Sequence, residues 1–584
     1  MMKRRMRITT IFLVAIVLSC GKRGQTGGAI ISGKVKVNWS NEIKVSGGPI
    51  VLTDQWISRL NLGDTLISIE PNGSFQIELS MDKADFYRIS HESSEVEVFL
   101  EPSDSIFLDF ESSDVVKGSG KELNRHLETL RNQINSYRRY VFDNRLYDLS
   151  VSEFASVLDS LRSNYLEIHD QFKSSHEVHK TYDQKVIADI DFRLKLFKVS
   201  QPGVYKEITG ERLDVSDTYF DDLAKGSLQN PEYLKSLDFI LFLDSYVDAI
   251  SSGEYKFDIY WHAPIEKIHP RYETIAGLIA HADIKDYLLS QHLHDILDNH
   301  DVKYISDLMP RYREDCTNPI LVKQIEERFD KEMTRREEPS EIQVYKVVDG
   351  VELEAHIFYP EDHQAGDKRS AYLFFHGGGW AIGSAKWGYS NCKRYRDLGM
   401  VAISFEYRLV DIHRTNIVDC IKDAKSAIQW SRKESVRLGI DSTKIVAAGF
   451  SAGGHLAAST AILREFNGAN GPFSSEPNAI IVQSASYNTT KSDWFSRQSD
   501  QKPKSISTYH NVESGLVPSI FFHGAEDHLA PLEEFTQFKN KMDSLGNDYE
   551  YQIFEGVGHF FNNDEADREV DRLTKEFLTN SGFL

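Results

Sequence analysis

From Ala29 to about Phe110, apolar and polar residues alternate with the period of strands that bury one face. Ile31-Ser-Gly-Lys-Val-Lys-Val37 shows the pattern, as does Ser74-Phe-Gln-Ile-Glu-Leu79 after the turn signal Pro71-Asn-Gly73. Glu95–Leu100 and Ser105–Phe110 flank a turn at Glu101-Pro-Ser-Asp104. This pattern predicts a small antiparallel β-sandwich over residues 29–115. The period then lengthens. Leu123, Leu127, Leu130 and Ile134 recur at helical spacing, as do Phe154, Val157, Leu158 and Leu161 further on. Residues 116–333 are therefore expected to form a mostly helical region, with no repeat of fixed period. The polar, proline-containing stretch Thr334–Ser340 reads as a linker over 334–341. Beyond it an opening hairpin (Gln343–Val348, Leu353–Phe358) precedes short apolar strands at Ala371–Phe375, Val401–Phe405, Lys444–Ala448, Ala479–Val482 and Ser519–Phe522. Helical stretches such as Asn416–Leu438 and Ala452–Phe466 lie between them. Apolar strands alternating with helices predict an α/β domain over 342–584, with a mostly parallel sheet covered by helices.

The chain has 584 residues, too many for one hydrophobic core, so several domains are expected. A composition of 41% hydrophobic and 27% charged residues excludes global disorder. The formal net charge of −21 argues against non-specific nucleic-acid binding, which needs a basic face. Residues 1–20 read as a targeting segment. Lys3, Arg4, Arg5 and Arg7 are a basic start, Ile8–Leu18 is an apolar run, and Val17-Leu18-Ser19-Cys20 resembles a bacterial lipobox. That resemblance implies lipidation at Cys20, a short tether over 21–28 and a membrane attached through lipid. Cys316, Cys392 and Cys420 are odd in number and widely spaced, which fits free thiols and no zinc pattern.

The residues that carry chemistry lie in the last domain. Gly449-Phe-Ser451-Ala-Gly453 follows a strand and opens a helix, the context of a nucleophile elbow. Ser451 is the candidate nucleophile, and the helix N-terminus offers the Ala452 N–H as an oxyanion donor. His376-Gly377-Gly378-Gly379-Trp380 follows an earlier strand, and its glycines let backbone N–H groups turn toward one oxygen. After Ser451 come the candidate acid Asp527, beside Glu526, and the candidate base His559 on the loop Glu555-Gly-Val-Gly-His559. His523 and His528 flank the acid and read as structural or pocket residues. His292 and His294 read as a solvated helix face, with no metal site.

The set Phe375–Trp380, Glu406-Tyr-Arg-Leu409, Asp423–Ile428, Leu438-Gly-Ile-Asp441, Gly449–Ala458 and Gly556-Val-Gly-His559 resembles the α/β-hydrolase esterase/lipase superfamily. The nearest groups are its hormone-sensitive-lipase-like and carbohydrate-esterase-like branches. The resemblance implies a catalytic triad of Ser451, Asp527 and His559. It also implies an oxyanion hole from Gly378, Gly379 and Ala452, with Gly377 shaping the loop, and no cofactor. Many relatives carry a proline in or after the Glu406–Leu409 segment, and this chain does not. The N-terminal part is similar to that of Bacteroidetes-type thioredoxin-fold lipoproteins at Ile31–Val35, Phe99–Ser105 and Lys117–Asn124, but the thioredoxin domain is absent.

The expected protein is a serine esterase of carboxylic acyl esters, with acylated glycans as candidate substrates. It is expected in the envelope of a Gram-negative bacterium, lipid-anchored in the outer membrane and facing the periplasm. Two other readings stay open: a serine peptidase of the prolyl-oligopeptidase type, and a binding lipoprotein that has lost activity.

Overall fold

The computed structural model describes residues 28–35, 42–46, 50–52, 57–59, 65–70, 72–91, 94–110, 115–143, 146–216, 218–252, 265–467, 472–561 and 564–584. The targeting segment with Cys20, and the tether up to residue 27, lie outside the described residues. Among those described, no helix is long and apolar enough to cross a membrane.

The chain divides into two compact units. The first comprises residues up to 45 together with 65–129. It holds two four-stranded sheets. One runs Val116–Gly118, Ser105–Asp109, Gly28–Lys34, Ser74–Ser80; the other runs Thr65–Ser68, Glu42–Ser46, Asp85–His91, Ser94–Leu100. Alternation drives the packing, because Ala29, Ile31, Ile43, Ile89, Val98 and Ile106 point inward into one core. The sandwich departs from the expected antiparallel arrangement at its centre. Gly28–Lys34 pairs parallel with Ser105–Asp109, placing Ile31 opposite Ile106. A parallel pair needs a long crossover, and the other strands of the unit supply it.

The second unit comprises 46–64 and 130–584, so the helical region and the α/β region pack as one body. The helices follow their local signals. Ser150 and Glu153 form a reciprocal capping box at the start of Val151–Ser175. Gly210, at φ +75°, ends Lys180–Thr209. Asn318 caps Pro319–Arg336 from in front of its proline. Phe239, Leu243, Val247, Tyr272, Leu289 and Leu293 are among the side chains of this region's core.

The expected linker begins inside a helix, which runs on to Arg336. The cause is electrostatic. Arg336 pairs with Asp301 and Glu354, each at 2.7 Å, so a stretch that reads as polar surface is held against buried carboxylates.

From Glu341 on, eight strands form one sheet. In spatial order they are Glu341–Val348, Val351–Phe358, Val401–Phe405, Arg369–Phe375, Ile440–Phe450, Ala479–Gln483, Ser519–Gly524 and Glu550–Phe554. Val351–Phe358 is antiparallel to both of its neighbours, and every other pairing is parallel. Helices Ile417–Lys433 and Ala452–Ile462 cover one face, over Leu373, Phe375 and Ala447. Helices Tyr389–Asp397 and Asp564–Asn580 cover the other, over Tyr372, Phe374 and Ile481. Burial on both faces explains why these strands read as continuous apolar runs.

Candidate active site

Strand Ile440–Phe450 passes into helix Ala452–Ile462 through a single residue, Ser451, at φ +54° and ψ −120°. Positive φ at a residue with a side chain is strained, and the surroundings must hold it. Two glycines permit that approach. A Cβ on Gly449 would lie 2.2 Å from the Gly453 carbonyl oxygen, and one on Gly453 would lie 1.9 Å from that of Phe375. The Ser451 N–H donates to Gln483 O at 2.9 Å, which fixes the turn against the neighbouring strand.

Asp527 and His559 follow the last two strands of the sheet, Ser519–Gly524 and Glu550–Phe554, and meet the serine. The Ser451 hydroxyl donates to His559 Nε2 at 2.8 Å. His559 Nδ1–H donates to Asp527 Oδ2, also at 2.8 Å. The second oxygen of Asp527 accepts from the N–H groups of Leu529 (2.9 Å) and Ala530 (2.8 Å). Asp527 is buried, whereas the adjacent Glu526 is exposed, so the backbone separates the two candidate acids. His523 is buried and donates to Ala530 O at 2.7 Å, bracing the acid's loop, while His528 is exposed. An imidazole held between a hydroxyl and a buried carboxylate has one tautomer fixed and is oriented to accept a proton from oxygen.

The glycine loop lies beside the elbow. Gly378 and Gly379 have φ of +109° and +60°. Among the described residues, no backbone carbonyl accepts from the N–H of Gly378, Gly379 or Ala452. Gly377 is buried, and its carbonyl accepts from His376 Nδ1–H at 2.7 Å. His376 stacks on Tyr407 (centroids 4.5 Å apart), and burial lowers its pKa to about 4, so the ring is neutral. Trp380, at φ +61°, stands edge-on to His455 and Phe495.

Ser451 and His559 open onto a cavity of about 820 Å³. Trp380, Trp387, Phe450, Phe495 and Phe560 supply aromatic walls, and Asn391, Arg394 and Gln483 supply polar ones. Sequence reasoning missed several contributors. Gln483 anchors the elbow, and Ser484 Oγ donates to His559 O at 3.2 Å. Trp494 and Phe495, on a short helix after the sixth strand of the sheet, pack around Trp380. The one signal for Gln483 and Ser484 was their place at the end of a strand that pairs with the elbow's strand.

The reading of His292 and His294 as a solvated face needs correction. His292 is buried and donates to Ile268 O at 2.9 Å, and His294 is half-buried against Asp298. Helix Ala282–Asn299 is enclosed on most of its circumference, which its mixed composition hides. Cys316, Cys392 and Cys420 are buried free thiols.

The family model BD-FAE matches residues 356–494. Esterase LipC of Mycobacterium tuberculosis is 27% identical over 222 residues, covering 32% of this chain and 52% of the relative. The probable isoprenylcysteine alpha-carbonyl methylesterase ICMEL1 of Arabidopsis thaliana is 25% identical over 234 residues, covering 35% and 49%. The chain spans about half, or less, of the length of such curated relatives. Among solved structures, the propionate-bound esterase Est2 of Thermogutta terrifontis is 38% identical, with 42% of this chain and 95% of that one covered and a TM-score of 0.40. The sheet order, the strand-turn-helix around Ser451, the family-model match and the similarity to the curated esterases together place residues 342–584 as a C-terminal α/β-hydrolase domain of the esterase/lipase kind.

Proposed function

We propose that the protein is a serine esterase using Ser451, His559 and Asp527, and that its substrates are acyl esters on glycans met in the cell envelope. The observation that carries the mechanism is the unbroken hydrogen-bonded chain from Ser451 Oγ through His559 to Asp527, 2.8 Å at each step. His559 takes the Ser451 proton as the oxygen attacks the ester carbonyl. Asp527 stabilises the imidazolium that forms. The N–H groups of Gly378, Gly379 and Ala452 receive the oxyanion, each contributing about 3 kcal/mol to the barrier reduction. His559 then gives its proton to the leaving alcohol. A water molecule, deprotonated by the same imidazole, attacks the acyl-enzyme; the acid departs and Ser451 recovers its proton.

Glycan esters are favoured by the wall chemistry, in which aromatic faces stand beside amide and guanidinium groups suited to sugar rings and hydroxyls. The envelope location rests on the basic start, apolar run and Cys20 of the sequence. Attachment there requires lipid on Cys20: labelled fatty acid should enter the wild-type protein and be lost in Cys20→Ser, and equal labelling of both would remove the anchor from the reading. For the chemistry, p-nitrophenyl acetate and butyrate should be hydrolysed by wild type and fall to near background in Ser451→Ala. Turnover that survives this substitution would reject the assignment.

A further inference from the structure

The glycine loop is held from outside the sheet. Its chain closes on itself, because the N–H groups of Ala381 and Ile382 both donate to Gly378 O at 3.0 Å. The next residue, Gly383, donates its N–H to Asn299 O at 2.9 Å, and Asn299 ends helix Ala282–Asn299 of the helical region. Gly383 has φ +114°, and a Cβ there would lie 2.5 Å from the His376 ring, so this residue sits wedged between the helical region and the base of the loop. Three residues on, Lys386 enters a socket. Its ammonium donates to Leu297 O at 2.7 Å and pairs with the Glu332 carboxylate at 2.9 Å. Arg335 in turn donates to Lys386 O at 3.0 Å. Lys386 and Glu332 are each only 6% exposed. Burying an ammonium is unfavourable unless it is paired and hydrogen-bonded, and here both conditions are met by helices Ala282–Asn299 and Pro319–Arg336.

A second tie reaches the same loop from its other side. Lys303 of the helical region pairs with Glu354 and Glu406, each at 3.1 Å. Beside Glu406, the Tyr407 hydroxyl donates to His376 O at 2.9 Å, and the Val410 N–H donates to Trp380 O at 2.8 Å. Asp301, Glu354, His356 and Glu406 gather closely enough to suggest a metal site, but Lys303 and Arg336 stand among them as counter-charges. The cluster is therefore an ion network that clamps the two regions together.

We propose that Lys386 is a positioning residue for the esterase reaction: seated in the socket of Leu297 O and Glu332, it fixes the far end of the glycine loop so that the N–H groups of Gly378 and Gly379 face the oxyanion. The helical region is thereby part of the catalytic unit. This inference rests on the esterase reading and adds to it.

The test compares the full chain with Lys386→Met, which keeps most of the stem and removes the ammonium. Turnover of p-nitrophenyl acetate should fall roughly 10- to 100-fold in kcat, with KM nearly unchanged, because loop geometry matters most in the transition state. Labelling of Ser451 by a fluorophosphonate, whose phosphonyl oxygen occupies the oxyanion position, should slow in parallel. A folded Lys386→Met protein with a lower Tm but wild-type kcat and labelling rate would overturn the proposal, since that is what a merely structural lysine gives. If Lys386→Met does not fold, Glu332→Gln decides by the same two rates: a several-fold loss is expected, and none would overturn it. If wild type hydrolyses nothing, the esterase reading falls, and the labelling rates still judge Lys386.

Discussion

The helical region and the sheet domain belong to one compact unit and both bury continuous apolar cores, yet they contribute differently to the site. The sheet domain delivers three side chains from the ends of three of its parallel strands into one hydrogen-bonded chain. The helical region, by contrast, supplies carbonyl oxygens, a carboxylate and two cations that hold the glycine loop and its neighbours from behind. In the proposed reaction the reacting groups thus lie at the sheet's edge, while the groups that hold the glycine loop come from both regions of the unit.

Asp527→Asn is expected to have the largest effect on the sheet domain's part. The change keeps the side chain's shape and removes the charge that orients His559, so kcat should drop by about 10⁴-fold with little change in Tm. A large loss of Tm with modest loss of turnover would move Asp527 from the chemistry to the framework. Lys386→Met comes next in size, and it links the two regions directly.

The smallest effect concerns pH and whether the regions unfold together. His292 in the helical region, and His376 and His455 in the sheet domain, are buried and hydrogen-bonded to carbonyl oxygens. Burial lowers their pKa values to about 3 for His292 and about 4 for the other two. The unfolded chain, with histidines near their ordinary value of about 6.5, binds more protons between those limits. Stability from these groups is thus fully present above about pH 6.5 and is lost as pH falls toward about 4, on the order of 3 kcal/mol for each fully buried ring. Thermal unfolding followed between pH 7 and 4 should show Tm falling across that window, with the helical region and sheet domain melting in one transition. Two separated transitions would contradict the coupling.

Much of the sheet domain was legible in the sequence because its signals are local. The strand Val401–Phe405 has the bounds its composition gives, and the Gly449–Gly453 spacing needs only its own neighbours to explain it. Ser451, Asp527 and His559 stand out as candidates for the same reason: each follows a strand and sits among turn residues. What stayed hidden depends on distant partners. Arg336 reads as linker until Asp301 and Glu354 are seen beside it. Lys386 reads as a surface lysine, since nothing near it in sequence announces Leu297 O or Glu332. The parallel pairing of Gly28–Lys34 with Ser105–Asp109 was hidden too, because alternation states that a strand has two faces and is silent about the direction of its neighbour.

The socket around Lys386 also carries a consequence for how the chain is made. Leu297, Asn299 and Glu332 leave the ribosome before Lys386 does, so the walls of the socket precede the residue that fills it. An α/β domain started at residue 342 would be born with an ammonium shaped for a partner that never arrives and with Gly383 lacking the carbonyl that meets its N–H. Such a shortened protein would carry Ser451, Asp527 and His559 and yet lack the Leu297 and Asn299 carbonyls and the Glu332 carboxylate that meet the end of its glycine loop in the full chain.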